Sequence, residues 1–136
     1  MIDKLKEFNI SKDEIEKLKN FRSRDGFIIL EDNEFNNMQS YFDQFPVYKN
    51  ITAILTDGNS NYWCVYVDTT MKGMVCYLSH DELNLEPKFR SISNFIDTIE
   101  NNLDVFVSKN QQYENTQQIK APNGASPIGQ GGKINA

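Results

Sequence analysis

The chain has 136 residues, 39% of them hydrophobic and 12% aromatic, with a formal net charge of −5. A length of this order is that of one domain, or of one domain with a tail, and leaves enough apolar surface for a real core. No apolar run approaches the roughly 20 residues of a membrane helix, and two cysteines do not make a disulfide framework.

The first 17 residues, "MIDKLKEFNISKDEIEK", are charged throughout and have no apolar stretch. They do not read as a secretory signal, so the expected compartment is the cytoplasm, with reduced thiols. Leu5 and Phe8 suggest a first helical turn. "NISKDEIEKLKNF" is a strong helix start: Ser11 is placed to cap, Glu14 to complete a capping box, and Ile10 and Ile15 to form the hydrophobic staple. That helix is expected to run to about Asn20.

"RDGF" is a turn, and Phe27 to Leu30 a short apolar strand. A second helix follows in "EDNEFNNMQSYFDQFP", capped by Asp32 or Asn33 and stopped by Pro46. Its stripe of Phe35, Met38, Tyr41 and Phe42 reads as core. Ile51 to Leu55 is β-rich, "DGNSN" is a turn, and Tyr62 to Val67 and Met74 to Leu78 are the strongest strand signals. "DTTMKG" joins the last two as a hairpin, which makes a three-strand meander. "NLEPKFRS" reads as a loop. Ser91 or Ser93 then caps a last helix that buries Phe95, Ile96, Ile99, Leu103 and Phe106. From Asn110 the apolar pattern ends. Residues 1–109 are therefore read as one domain and 110–136 as a flexible polar tail.

The middle of the chain gathers the residues most often used in chemistry: the single Trp, the single His and both Cys lie between Thr56 and Glu82. His80 has Ser79 and Asp81 as neighbours, but adjacent residues of an extended chain point to opposite faces, and no nucleophile elbow is present. Asp57, Asp68, Asp81 and Glu82 around His80 lack any metal-ligand spacing. If Val65 pairs with Val75, Cys64 and Cys76 fall opposite each other on one face, as buried thiols or, under oxidation, a cross-strand disulfide. The reading is of no enzyme, no metal and no cofactor.

Charge is unevenly spread. Residues 1–24 hold seven Lys/Arg against five Asp/Glu, whereas residues 25–104 hold four against thirteen. Nucleic acid is a poor partner for such an acidic middle, because phosphate binding needs clustered Lys/Arg. A basic protein is a good one.

"LTDGNSNYWCVYV", "KGMVCYLSHDE" and "KFRSISNFIDTI" together resemble the SUKH superfamily. The matching features are Asp57 and Gly58 before an aromatic strand, Gly73 opening the next, His80 beside an acid at its end, and Phe89 and Ser91 leading to Phe95. The resemblance spans Ile51 to Leu103; N-terminal to it, only Phe45-Pro46 is similar to the family pattern. It implies an α+β fold, with a twisted, mostly antiparallel sheet flanked by helices. It also implies a bacterial immunity protein that binds a cognate polymorphic toxin, many of which are nucleases or deaminases. The alternative within the family is a non-catalytic regulator or scaffold of the cell-wall-regulator type. The histidine and glycines of the pattern are implied to serve the fold.

Strand alternation places Tyr62, Tyr66 and Asp68 on one face and Trp63, Val65 and Val67 on the other. The second set is the more apolar and is expected to meet the helices. The first is expected to point outward beside Asp57, Asp81 and Glu82. The candidate partner-binding residues are therefore Asp57, Tyr62, Tyr66, Asp68, Asp81 and Glu82.

Overall fold

The computed structural model describes residues 1–101. The expected tail, and Leu103 and Phe106 of the last helix, lie outside them. Met1–Ile96 forms one compact unit.

The elements run α1 (Ile2–Glu7), α2 (Lys12–Lys19), β1 (Ile28–Ile29), α3 (Asp32–Asp43), a 3-10 turn (Pro46–Tyr48), β2 (Ile51–Thr56), β3 (Tyr62–Tyr66), β4 (Val75–Leu78), β5 (Pro87–Phe89) and α4 (Ile92–Asn101). The strands form one sheet in the order β1-β2-β3-β4-β5. Every neighbouring pair is antiparallel. The fold is α+β, as the sequence indicates. The meander has five strands rather than three, because β1 joins one edge and β5 the other. The segment "NLEPKFRS" is thus not simply a loop. Pro87 opens β5 at the sheet edge, the position in a strand where a residue without an N–H is tolerated. Among the described residues no helix is long and apolar enough to cross a membrane.

Helices cover both faces of β3. On one face Cys64 and Tyr66 are buried in a cluster with Phe35 and Phe42 of α3, Ile51 and Ala53 of β2, and Cys76 and Leu78 of β4. On the other face Trp63 is fully buried. Its ring lies 4.9 Å from that of Phe95 in α4, 4.5 Å from Tyr77 and 6.0 Å from Phe27. Alternation separates the two sets of side chains within β3 as expected, but of the first set only Asp68, beyond the strand end, is exposed; Tyr62 is half-buried and Tyr66 buried. The expectation of an outward Tyr66 is corrected: it is 7% exposed, and its hydroxyl donates to the Leu85 carbonyl at 2.6 Å.

Local chemistry explains the helix ends. Ser11 Oγ accepts from the Glu14 N–H (3.3 Å), which closes half of the expected capping box. The other half does not form, because the Glu14 carboxylate reaches α4 instead. There it accepts from the Ser93 N–H (3.1 Å) and the Ser93 hydroxyl (2.5 Å). Ser91 is the cap of α4, accepting from the Asn94 N–H at 2.9 Å. Ile92, Phe95 and Ile96 are buried, as is Ile99. Neither Asp32 nor Asn33 caps α3. Glu31 holds that position without a side-chain cap bond, and the Asp32 carboxylate takes the N-terminal ammonium of Met1 at 2.9 Å. Tyr41 also departs from expectation. It lies on the flank of the α3 stripe rather than in the core and is 43% exposed.

Candidate partner-binding groove

The loop between β2 and β3 is a polar hub. Thr56 Oγ1 donates to the Asn61 carbonyl and accepts from the Gly58 N–H. Gly58 has φ +85°, a conformation that glycine adopts without the clash a Cβ brings. Asp57 Oδ1 accepts from the Asn59 N–H at 2.7 Å. Its Oδ2 accepts from the Asn61 side-chain amide (2.9 Å) and the Tyr77 hydroxyl (3.2 Å). This carboxylate is engaged in holding the loop shut.

Asn61 is buried and carries the network to His80. Its Oδ1 accepts from the His80 backbone N–H and from His80 Nδ1, both at 2.8 Å. Because the backbone group can only donate, that atom is oxygen, and Nδ1 must carry a proton. The other ring nitrogen, Nε2, lies 3.2 Å from Asp81 Oδ1. Both ring nitrogens are therefore committed, one to Asn61 and one toward Asp81, and neither is aimed at a serine hydroxyl. Ser79 Oγ instead accepts from the Asp81 N–H at 3.0 Å. His80 ends β4 by pinning it to the β2–β3 loop.

The same pinning shapes a groove of about 460 Å³ between α3, the 3-10 turn and the segment after β4. Tyr41, Tyr48 and Tyr62 supply its aromatic wall, and Asp81 and Glu82 are its exposed carboxylates. Among the described residues no lysine or arginine lines it. The Tyr62 hydroxyl donates to Glu34 Oε2 of α3 at 3.2 Å. Burial pushes the Tyr62 phenol above its ordinary value, and the Glu34 carboxylate adds to the effect, so the ring stays a neutral donor. Burial likewise raises Tyr48, with the Tyr41 hydroxyl contributing.

Large apolar side chains crowd around this opening. Of the five exposed large hydrophobics among the described residues, Tyr41, Phe45, Val47 and Leu83 are 42–60% accessible, and the fifth, Ile28, lies in β1. Tyr41 and Leu83 line the groove, and Phe45 and Val47 belong to the turn that follows α3. The rings of Tyr41, Phe45 and Tyr48 form one array, with Tyr41 5.2 Å from Phe45 and 5.6 Å from Tyr48.

Of the six candidate residues, the groove unites three: Tyr62, Asp81 and Glu82. Asp57 lies close by but faces inward to Asn61 and Tyr77. Tyr66 is core. Asp68 is exposed in the β3–β4 hairpin, at the far end of β3, where its Oδ1 accepts from the Thr69 N–H at 2.8 Å. The sequence reading missed Tyr41, Tyr48 and Leu83. The available signal was "YFDQFPVY", where aromatics continue past the end of the helical stripe with no strand to bury them.

No family model, no curated protein and no solved structure matches the chain.

Proposed function

We propose that the chain is an immunity protein that binds and neutralises a cognate protein toxin in the cytoplasm, the toxin being a nuclease or another nucleic-acid-modifying enzyme. The observation that carries this reading is the groove itself, an aromatic concavity with carboxylates on its rim, set within a patch of exposed apolar side chains. Exposed apolar side chains gathered in one place mark binding surfaces. Aromatic anchors within an acidic rim suit a basic partner: rings supply buried area, and carboxylates supply steering and orientation. Enzymes that act on nucleic acid are basic where they meet phosphate. The SUKH resemblance of residues 51–103 adds the biological setting.

Growth rescue tests the reading. Candidate toxin domains encoded by neighbouring genes are expressed in a sensitive host with and without the chain. Restored growth, with a stable complex of the two purified proteins, is the expected result. Equal killing in both strains overturns it.

A further inference from the structure

We infer that the groove is an arginine receptor: it takes the guanidinium side chain of a protein partner, laid on Tyr41, Tyr48 and Tyr62 and held at its rim by Asp81 and Glu82. The inference deepens the toxin-binding role and rests on it for the partner's identity, not for the chemistry of recognition.

Three features point the same way. First, the wall is tyrosine, and the Tyr41 and Tyr48 rings are inclined by only 33° to each other. Aromatic rings attract cations that come to lie over their faces. Second, Asp81 and Glu82 are the acidic side chains that line the opening, beside His80, and no Lys or Arg lines it among the described residues. The Asp81 backbone N–H donates to Ser79 Oγ at 3.0 Å, which sets the course of the chain at the rim. Third, Glu34 accepts the Tyr62 hydroxyl from below, so that ring cannot swing out of the wall without losing a bond.

Arginine fits this arrangement better than lysine. Its guanidinium is planar, weakly hydrated and able to stack on a ring while donating two parallel bonds to a carboxylate. An ammonium is a strongly hydrated point charge that cannot stack flat on a ring. A protein segment fits better than a free small molecule. The apolar surface continues beyond the groove over the exposed Phe45, whose ring lies 5.2 Å from that of Tyr41, where a residue flanking an inserted arginine would rest.

The test is a titration of the full chain with capped hexa-arginine, hexa-lysine and hexa-glutamate peptides, followed by amide and aromatic NMR shifts. Hexa-arginine is expected to shift the rings of Tyr41, Tyr48 and Tyr62 and the amides of residues 80–83. It is expected to bind at least about threefold more tightly than hexa-lysine, which has the same charge. Tyr41→Ala and Tyr41→Leu should each weaken hexa-arginine roughly two- to fivefold. The leucine variant keeps apolar packing, so its loss reports the ring face. Asp81→Asn with Glu82→Gln should weaken both basic peptides, and Asp68→Asn, at the other end of β3, should weaken neither. Equal affinity for the two basic peptides together with indifference to both Tyr41 variants overturns the inference, and so do shifts that centre elsewhere. Toxin rescue is scored separately. Rescue without arginine preference removes this inference alone, and arginine binding without rescue removes the toxin reading alone.

Discussion

Cys64 of β3 stands directly across from Cys76 of β4, and both thiols are fully buried and free. Burial pushes Cys64 well above its ordinary 9.0, and the neighbouring Cys76 thiol adds to the effect. Tyr48, Tyr62 and Tyr66 are also raised above 10.0, with burial the leading cause for each. A raised value means that the folded chain holds its proton more tightly than the unfolded chain does. The resulting stability is complete below the unfolded value and is lost as pH rises through the window above it. The melting temperature should therefore stay level from neutrality to about pH 9 and fall beyond it, with Cys64→Val moving the onset upward toward the tyrosine range. A pH series of thermal melts followed by circular dichroism checks this. An onset that Cys64→Val leaves in place would show that the thiol is not the first group to titrate.

The two ends of the Asn61–His80 contact should not be equal. His80→Ala removes the ring bond but leaves the backbone bond to Asn61, a loss of about 1 kcal/mol. Asn61→Ala strips both acceptor bonds and the amide that braces Asp57, from a buried position, so about 2–3 kcal/mol is expected. Urea unfolding of both variants gives the comparison. His80→Ala should leave partner binding largely intact, and lost protection at unchanged stability would contradict that.

Tyr66 and Asp68 should behave as opposites. Tyr66→Ala removes a ring from the core shared with Phe35 and Phe42 and should cost about 3–5 kcal/mol. Tyr66→Phe loses only the bond to Leu85, about 1 kcal/mol. Asp68→Lys, exposed in the hairpin, should melt nearly as the parent does and should bind the partner as before. Reduced binding by Asp68→Lys would extend the interface to the hairpin end of β3.

Glu14→Ala should destabilise by about 1 kcal/mol, the usual loss when a helix end is stripped of its acceptor. Glu14→Gln should fall between the alanine variant and the parent, since one amide oxygen replaces two carboxylate oxygens that serve the Ser93 N–H and hydroxyl. Chemical denaturation of the three proteins side by side decides whether that order holds.

Periodicity carried most of the fold. The staple of Ile10 and Ile15, the α3 stripe, and the aromatic strands around Cys64 and Cys76 are local patterns, and the Val65–Val75 register follows from the hairpin between them. What sequence did not disclose was non-local. Period-2 alternation says which residues share a face and is silent on whether a second helical layer covers it, so Tyr66 was misplaced. A three-residue strand such as β5 has too few side chains to show a period, and its pairing to β4 exists only in the fold. The groove was half legible. Its acids and Tyr62 lie in the conspicuous middle of the chain, whereas Tyr41 and Tyr48 come from a segment that reads as ordinary amphipathic helix and turn. Glu14 offered two plausible acceptors' roles, and proximity to Ser93, 79 residues away, settled which one it plays.

That bond has a consequence for how the protein is made. Translation proceeds at roughly 5–20 residues per second, so the 79 residues that separate Glu14 from Ser93 take about 4–16 s to synthesise. Throughout that interval the α1–α2 hairpin is outside or within the exit tunnel without the helix it braces. Its capped start lets α2 form early, but its carboxylate faces water until the last described helix emerges. The nascent chain therefore completes this brace late, after every strand of the sheet has been synthesised.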